Sequence, residues 1–236
     1  QEYERALALM KPSVYKINSV SYFYIYKMKQ PKLALQLWND FLEKSPKNEA
    51  AYRYRSDVYK RMKMYEEAAK DLSKAIELRP KYYYSYYKLA NLYKYNLRKK
   101  EGALMVWEDF IKRNPKNPQG YTYRAQIYRD MKQYDKAIED YRRAIAIHPT
   151  RRSSYSSLAY FYGYYKIKQY DKVPGVWTMY LRLNPWDSYA LRSRAKAWEK
   201  IKKWDKALLD WNKVLKKTTS SYYRKYAYQG KARCLK

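Results

Sequence analysis

Prolines recur in this chain at a nearly fixed interval, and the interval restricts it to a repeat architecture. Pro12, Pro46, Pro80, Pro115, Pro149 and Pro185 stand 34, 34, 35, 34 and 36 residues apart, and Thr219 takes the place of the next one 34 residues on. A period in this range marks a unit that cannot bury its own apolar face and must stack on copies of itself. Within each period two apolar patterns of helical spacing flank a short polar turn. The proline stops the second pattern because its ring clashes with the preceding turn and it donates no N–H. Each period therefore reads as a helical hairpin. In the fourth, Tyr121, Ala125 and Tyr128 lie at i, i+4 and i+7 on one helix, and Tyr134-Asp135-Lys136-Ala137 leads into a second with Tyr141 and Ala144.

The order of aromatic, small, aromatic, alanine, aromatic, alanine and proline resembles the 34-residue signature of the tetratricopeptide repeat family. In the second unit it is carried by Tyr52, Ser56, Tyr59, Ala68, Leu72, Ala75 and Pro80, and in the sixth by Leu191, Ala195, Trp198, Ala207, Trp211 and Val214. The third unit matches through Tyr86, Ala90, Tyr93, Ala103 and Trp107, and the fifth through Tyr155, Ala159, Tyr162 and Trp177; these two fit with one and two extra residues placed in the turn. The first matches least, with Tyr22 where a small residue belongs, although Ala34, Trp38, Phe41 and Pro46 agree. The resemblance implies an all-α, right-handed solenoid of about six repeats, over 13–46, 47–80, 81–115, 116–149, 150–185 and 186–219. Residues 1–12 read as the end of a preceding second helix, and 220–236 as a closing helix that covers the last apolar face.

A second period lies on the first. Units two, four and six share an arginine before the small residue, Arg55, Arg124 and Arg194, while units one, three and five share Trp38, Trp107 and Trp177 in the second helix. Either the working module is a pair of repeats, or a two-repeat ancestor was duplicated without functional meaning.

The net charge is +30, and 33 residues are tyrosine. Both concentrate in the first helices, which carry far more basic than acidic residues, whereas the second helices are nearly balanced. In the family, the resemblance implies, first helices line a concave groove. Tyr52, Tyr86, Tyr121 and Tyr155, with Tyr59, Tyr93, Tyr128 and Tyr162, fall at packing positions and read as core. The groove falls to Tyr26, Tyr54, Tyr84, Tyr87, Tyr95, Tyr123, Tyr160, Tyr164 and Tyr189, interleaved with Lys16, Lys27, Arg53, Lys60, Arg61, Lys88, Lys94, Arg129, Arg192, Lys196 and Lys200. Tyrosine offers a flat apolar face and a polar tip at low entropic cost, and the cations attract carboxylates, phosphates or sulfates. A carboxylate-gripping variety of the family uses a lysine and an asparagine on one groove helix. Asn91 stands at the asparagine position, but Tyr87 replaces the lysine.

Catalysis is not expected. One cysteine, Cys234, and one histidine, His148, supply neither a nucleophile with its base nor a set of zinc ligands, and there is no glycine-rich phosphate loop. His148 falls at a helix end, where it reads as part of a cap, and Glu66-Glu67, Glu108-Asp109 and Glu139-Asp140 read as solvated helix surface. Asp171 is placed to cap the helix that Pro174-Gly175 interrupts. Ala6 to Met10 follows Glu2 and Glu4, not a basic flank, so it lacks a secretory signature. With no run long and apolar enough to span a bilayer, the chain reads as soluble, with the cytoplasm favoured. The expectation is a protein-interaction scaffold, without cofactor, metal or enzymatic role, that holds an extended acidic or aromatic-rich segment of another protein. RNA or single-stranded nucleic acid is the alternative partner, and an anionic polysaccharide a third.

Overall fold

The computed structural model describes residues 13–163 and 167–235; the segment 1–12, expected to end a preceding helix, lies outside them. Thirteen α-helices run through the described residues, among which there is no strand. They are α1 (Val14–Tyr26), α2 (Pro31–Lys44), α3 (Glu49–Arg61), α4 (Tyr65–Leu78), α5 (Tyr83–Asn91), α6 (Lys100–Arg113), α7 (Pro118–Asp130), α8 (Tyr134–Ile147), α9 (Arg152–Gly163), α10 (Val173–Leu183), α11 (Ser188–Lys200), α12 (Trp204–Lys217) and α13 (Ser221–Cys234). Successive pairs form hairpins, and the chain divides into two compact units at Pro115/Lys116.

Among the described residues each recurring proline stands two residues beyond the end of a second helix: Pro46 after Lys44, Pro80 after Leu78, Pro115 after Arg113, Pro149 after Ile147, Pro185 after Leu183. Thr219 keeps the same offset from Lys217. The small signature residues Ala34, Ala68, Ala75, Ala103, Ala125, Ala137, Ala144, Ala195 and Ala207 are wholly buried where helices approach closely. Trp38, Trp107 and Trp211 fill the space between them. The closing helix lies flat on the last hairpin: a methyl group at Gly230 would stand 2.2 Å from Trp211 Cε2, so only glycine permits that approach.

The even hairpins, second, fourth and sixth, are clasped. Arg55 Nε and Nη2 donate to Asp71 at 2.8 and 2.7 Å, Arg124 to Asp140 at 2.8 and 2.8 Å, and Arg194 to Asp210 at 2.8 and 2.7 Å. The three aspartates are buried, so each fork-to-fork pair replaces the hydration that burial removed. Asp140 thus corrects the expectation of a solvated Glu139-Asp140 pair; Glu139 alone faces solvent. Arg55 Nη1 also reaches Asn39 at 2.9 Å, and Arg194 Nη1 reaches Thr178 at 2.9 Å, each on the preceding second helix. The rings of Tyr52 and Tyr59 flank Arg55 at 5.5 and 5.7 Å, and Tyr121 and Tyr128 flank Arg124 at 5.8 and 5.7 Å. The even arginines therefore belong to the fold. First helices of the even hairpins also carry side-chain caps, from Asn48 to Ala51 N–H, Asn117 to Gln119 N–H and Asp187 to Ala190 N–H, whereas α1 and α5 have none.

The odd hairpins are less regular. In the third, the extra residue expected in the turn is absorbed by the helix itself, whose last turn widens to π-helix over Leu92–Asn96. In the fifth, a 3-10 turn at Tyr170–Lys172 leads into α10, which starts with Pro174 in its first turn. Asp171 does not cap that helix: Lys172 holds the cap position and makes no side-chain cap bond. His148 is the C-cap of α8, its Nδ1 3.3 Å from Thr150 Oγ1.

All six turns inside the hairpins share one backbone feature that the sequence did not announce. Lys29, Lys63, Arg98, Lys132, Lys168 and Lys202 have φ between 53° and 63°, the left-handed region that glycine or asparagine usually occupies after a helix. In the even hairpins this residue closes a Schellman bond, Met64 N–H to Tyr59 O, Gln133 to Tyr128 and Lys203 to Trp198, at 2.8–2.9 Å. A left-handed side-chain-bearing residue costs about 1–2 kcal/mol. A cation at a helix C-terminus returns about 0.3–1 kcal/mol, so helix stability alone does not explain six basic residues.

Candidate binding surface of the first helices

The first helices of each unit lie side by side, and side-chain contacts join them across the hairpins. In the unit ending at Pro115, Arg53 of α3 lies over the rings of Tyr54, Tyr82 and Tyr84 at 5.0, 5.4 and 5.5 Å. Its Nε donates to Glu49 at 3.2 Å, and Ser85 of α5 donates to the same oxygen at 2.8 Å. Burial works against the Arg53 charge, and attraction from Glu49 more than restores it. Lys88 of α5 pairs with Asp57 of α3 and stands 5.6 Å from the Tyr84 ring, which stacks on Tyr87. Burial, followed by the Asp57 charge, raises the Tyr84 pKa.

Two cavities flank this contact and share Asp57 and Lys60. One, of about 590 Å³, is lined by Tyr22, Tyr26, Tyr54, Lys60, Arg61 and Tyr65 among others. The other, of about 200 Å³, includes Tyr84, Tyr87, Lys88 and Asn91. Arg61 lies 5.4 Å over Tyr26, which is half exposed and sits against Tyr22 with ring centres 4.3 Å apart. Lys94 lies 4.5 Å over Tyr95, which is 64% exposed.

The chain from Lys116 on builds its surface around Arg192. Its guanidinium is surrounded by Tyr189, Tyr222, Tyr223 and Tyr226 at 5.4–5.7 Å, and Nη1 donates to Tyr222 Oη at 3.3 Å. Hydrogen bonds from Arg192 and then Tyr226 lower the pKa of the Tyr222 phenol. Lys196 stands 5.5 Å from the Tyr226 ring, and Lys200 5.2 Å from Tyr170. Arg152 also lies over Tyr189, at 4.7 Å, while bonding Asp187 at 3.1 Å. Tyr160 is 62% exposed and neighbours Arg129. Tyr123 lines a cavity of about 190 Å³ with Gln119, Arg151, Ser153, Ser154 and Ser157.

Several residues assigned to a groove from sequence are thus held within the fold. Tyr54 stacks on Trp38 with ring centres 5.5 Å apart, and Tyr189 meets Trp177 edge-on at 5.8 Å. Arg53, Lys88 and Arg129 have carboxylate partners in Glu49, Asp57 and Asp130. Lys60, Arg61, Lys196 and Lys200 remain exposed; Lys16 and Lys27 are exposed too, with no ring contact or ion pair among the described residues joining them to the clusters. Tyr164 lies outside the described residues. Sequence reasoning missed Tyr22, Tyr65, Tyr82, Tyr222 and Tyr226. Tyr82 precedes its helix and Tyr222 opens its own, and only the chain reversal between hairpins brings them onto an arginine two helices earlier in the chain.

Among the described residues no helix is long and apolar enough to cross a membrane, and no group of histidine, cysteine and carboxylate side chains converges as metal ligands.

Family models of the tetratricopeptide repeat match residues 49–82, 84–117 and 118–151. Mitochondrial import receptor subunit TOM70 of Mus musculus is 30% identical over 135 residues, and that of Homo sapiens 29% over 135 residues. The alignment takes in 55% of this chain but 22% of the relatives' length. The crystal structure of yeast Tom70 superposes with a TM-score of 0.60 at 17% identity, over 98% of this chain and 49% of that one. A tetratricopeptide repeat protein from Parabacteroides merdae gives a TM-score of 0.51 at 17% identity, over 94% of this chain and 92% of that one. At these identities the structures establish the fold.

Proposed function

We propose that this chain, which belongs to the tetratricopeptide repeat family, is an interaction scaffold whose first helices hold an extended acidic or aromatic-rich segment of another protein. The observation that carries the reading is the pair of cavities along α3. They place Lys60 between two tyrosine-lined hollows, so that a carboxylate can meet the ammonium while flanking side chains fill the space beside Tyr26 and Tyr84. Relatives named as a receptor subunit support a polypeptide as the ligand. Arg53 and Lys88 are committed to Glu49 and Asp57, which shape the walls, and Lys60 and Arg61 supply the charge that faces a ligand.

The test is titration of a fluorescent peptide of alternating Glu and Phe or Tyr, against the parent and against Lys60→Glu with Arg61→Glu. Reversal at close range replaces attraction by repulsion, and the affinity should fall at least about tenfold. Lys70→Glu with Lys74→Glu, on the second helix of the same hairpin, should change it little. Equal losses would show that overall charge governs binding and would remove the groove reading. Survival of the interaction after nuclease treatment separates a protein partner from nucleic acid.

A further inference from the structure

The six left-handed residues in the hairpin turns are all lysine or arginine, all are exposed, and none has an ion-pair partner among the described residues. They stand at the tips where first helix turns into second, so within each unit the tips lie on one edge: Lys29, Lys63 and Arg98 in one, Lys132, Lys168 and Lys202 in the other. We propose that in each unit this edge is a binding site for single-stranded nucleic acid, taking the phosphate backbone on the tip cations.

Three observations favour this ligand. Glycine or asparagine meets the backbone requirement of such a turn with less strain, so a side chain recurring there against preference has its use outside the turn. The residue before each tip cation is aliphatic, Met62, Leu97, Met131, Ile167 or Ile201, and half-buried in the hairpin, with Met28 alone exposed. The tips therefore present charge with little of the apolar surface that a bilayer headgroup region would take in. Finally, the exposed rings of Tyr26 and Tyr95 stand three residues before Lys29 and Arg98 in the same helical turns, where unpaired bases can stack while neighbouring phosphates meet the cations. Contact through phosphates and ring faces is independent of base sequence. The edge adjoins the larger cavity along α3, which Tyr26 and Lys63 also line, while the other five tip cations lie outside it.

The experiment compares the parent with a variant carrying Lys29→Asn, Lys63→Asn, Arg98→Asn, Lys132→Asn, Lys168→Asn and Lys202→Asn. Asparagine adopts the left-handed conformation readily, so the variant should melt at or above the parent's temperature; the matching set of glycine substitutions serves if it does not. A charge-matched control removes Lys44, Lys70, Lys112, Arg142, Lys213 and Lys216 from exposed positions on second helices. With labelled oligouridylate as probe, the tip variant should lose at least about tenfold in affinity, and the slope of log affinity on log salt should shrink by about 0.7 for each phosphate contact removed. The control should lose clearly less, and a variant that keeps Lys63 and changes the other five tips should bind the acidic peptide as the parent does. Failure of the parent to bind the oligonucleotide, or equal losses in the two variants, would overturn the proposal. So would tip-dependent binding of phosphatidylserine-containing vesicles in place of the oligonucleotide, which would assign the edge to a membrane surface.

Discussion

The even hairpins and the odd hairpins share one repeat signature yet are held together differently. Arg55, Arg124 and Arg194 bind a buried aspartate across each even hairpin, and Asn48, Asn117 and Asp187 cap the first helix. The odd hairpins have no such clasp among the described residues and rely on Trp38, Trp107 and Trp177, buried between helices. The first-helix tyrosines most open to solvent, Tyr15, Tyr22, Tyr26, Tyr95 and Tyr160, all lie in odd hairpins. Even hairpins spend their first-helix arginines and rings on internal order; odd hairpins leave their rings outside. The alternation is thus structural.

The sharpest break of this comparison is Trp107→Ala, which opens a cavity in a hairpin that has no arginine–aspartate clasp among the described residues. We expect a loss of about 4 kcal/mol by urea unfolding. Asp140→Ala strands the Arg124 guanidinium in the fourth hairpin. Since about a fifth of that arginine side chain reaches solvent, we expect about 3 kcal/mol, near the low end for a broken buried pair. Replacing both partners, Arg124→Met with Asp140→Leu, should recover most of the loss; a double variant as unstable as the single one would show that the pair contributes more than mutual satisfaction. Ala125→Leu overpacks the contact beside the clasp and should cost about 2 kcal/mol. A melt unchanged from the parent would mean the contact can open.

The smallest effect concerns pH. Burial pushes the Tyr86 phenol up to about 12, above the ordinary value near 10 that it regains on unfolding. The unfolded chain therefore releases its proton first, and stability falls as pH rises from about 10 to 12. Tyr86→Phe should flatten that part of the profile relative to the parent. It also removes the hydroxyl's bond to Pro80 O at 3.2 Å, an offset present at all pH values.

Most of the fold was legible because it rests on spacing. The prolines mark helix ends, and the alanines and Tyr86, Tyr121, Tyr155 and Tyr162 are buried as their positions require. The candidate surface was less legible because burial and pairing are not periodic. Two tyrosines that both read as groove residues differ, Tyr26 half exposed and Tyr54 stacked on Trp38, and a cation such as Arg53 reads as free until Glu49 is seen beside it. The wide turn at Leu92–Asn96 and the left-handed lysines depend on backbone torsions that no residue type announces.

The clasp also makes chain length a quantity that the fold can measure. In all three even hairpins its partners are 16 residues apart, so inserting or deleting one residue between them would rotate the aspartate off its arginine and bury a bare charge. Among the described residues no such clasp spans the odd hairpins, where α5 already carries an additional residue as a widened turn. The departures from 34 residues, 35 and 36 between successive prolines, fall in the third and fifth hairpins alone. Insertions in the repeat are thus channelled into alternate units, where new length can be tried without disturbing a neighbour, and the odd hairpins are where descendants of this chain can change shape.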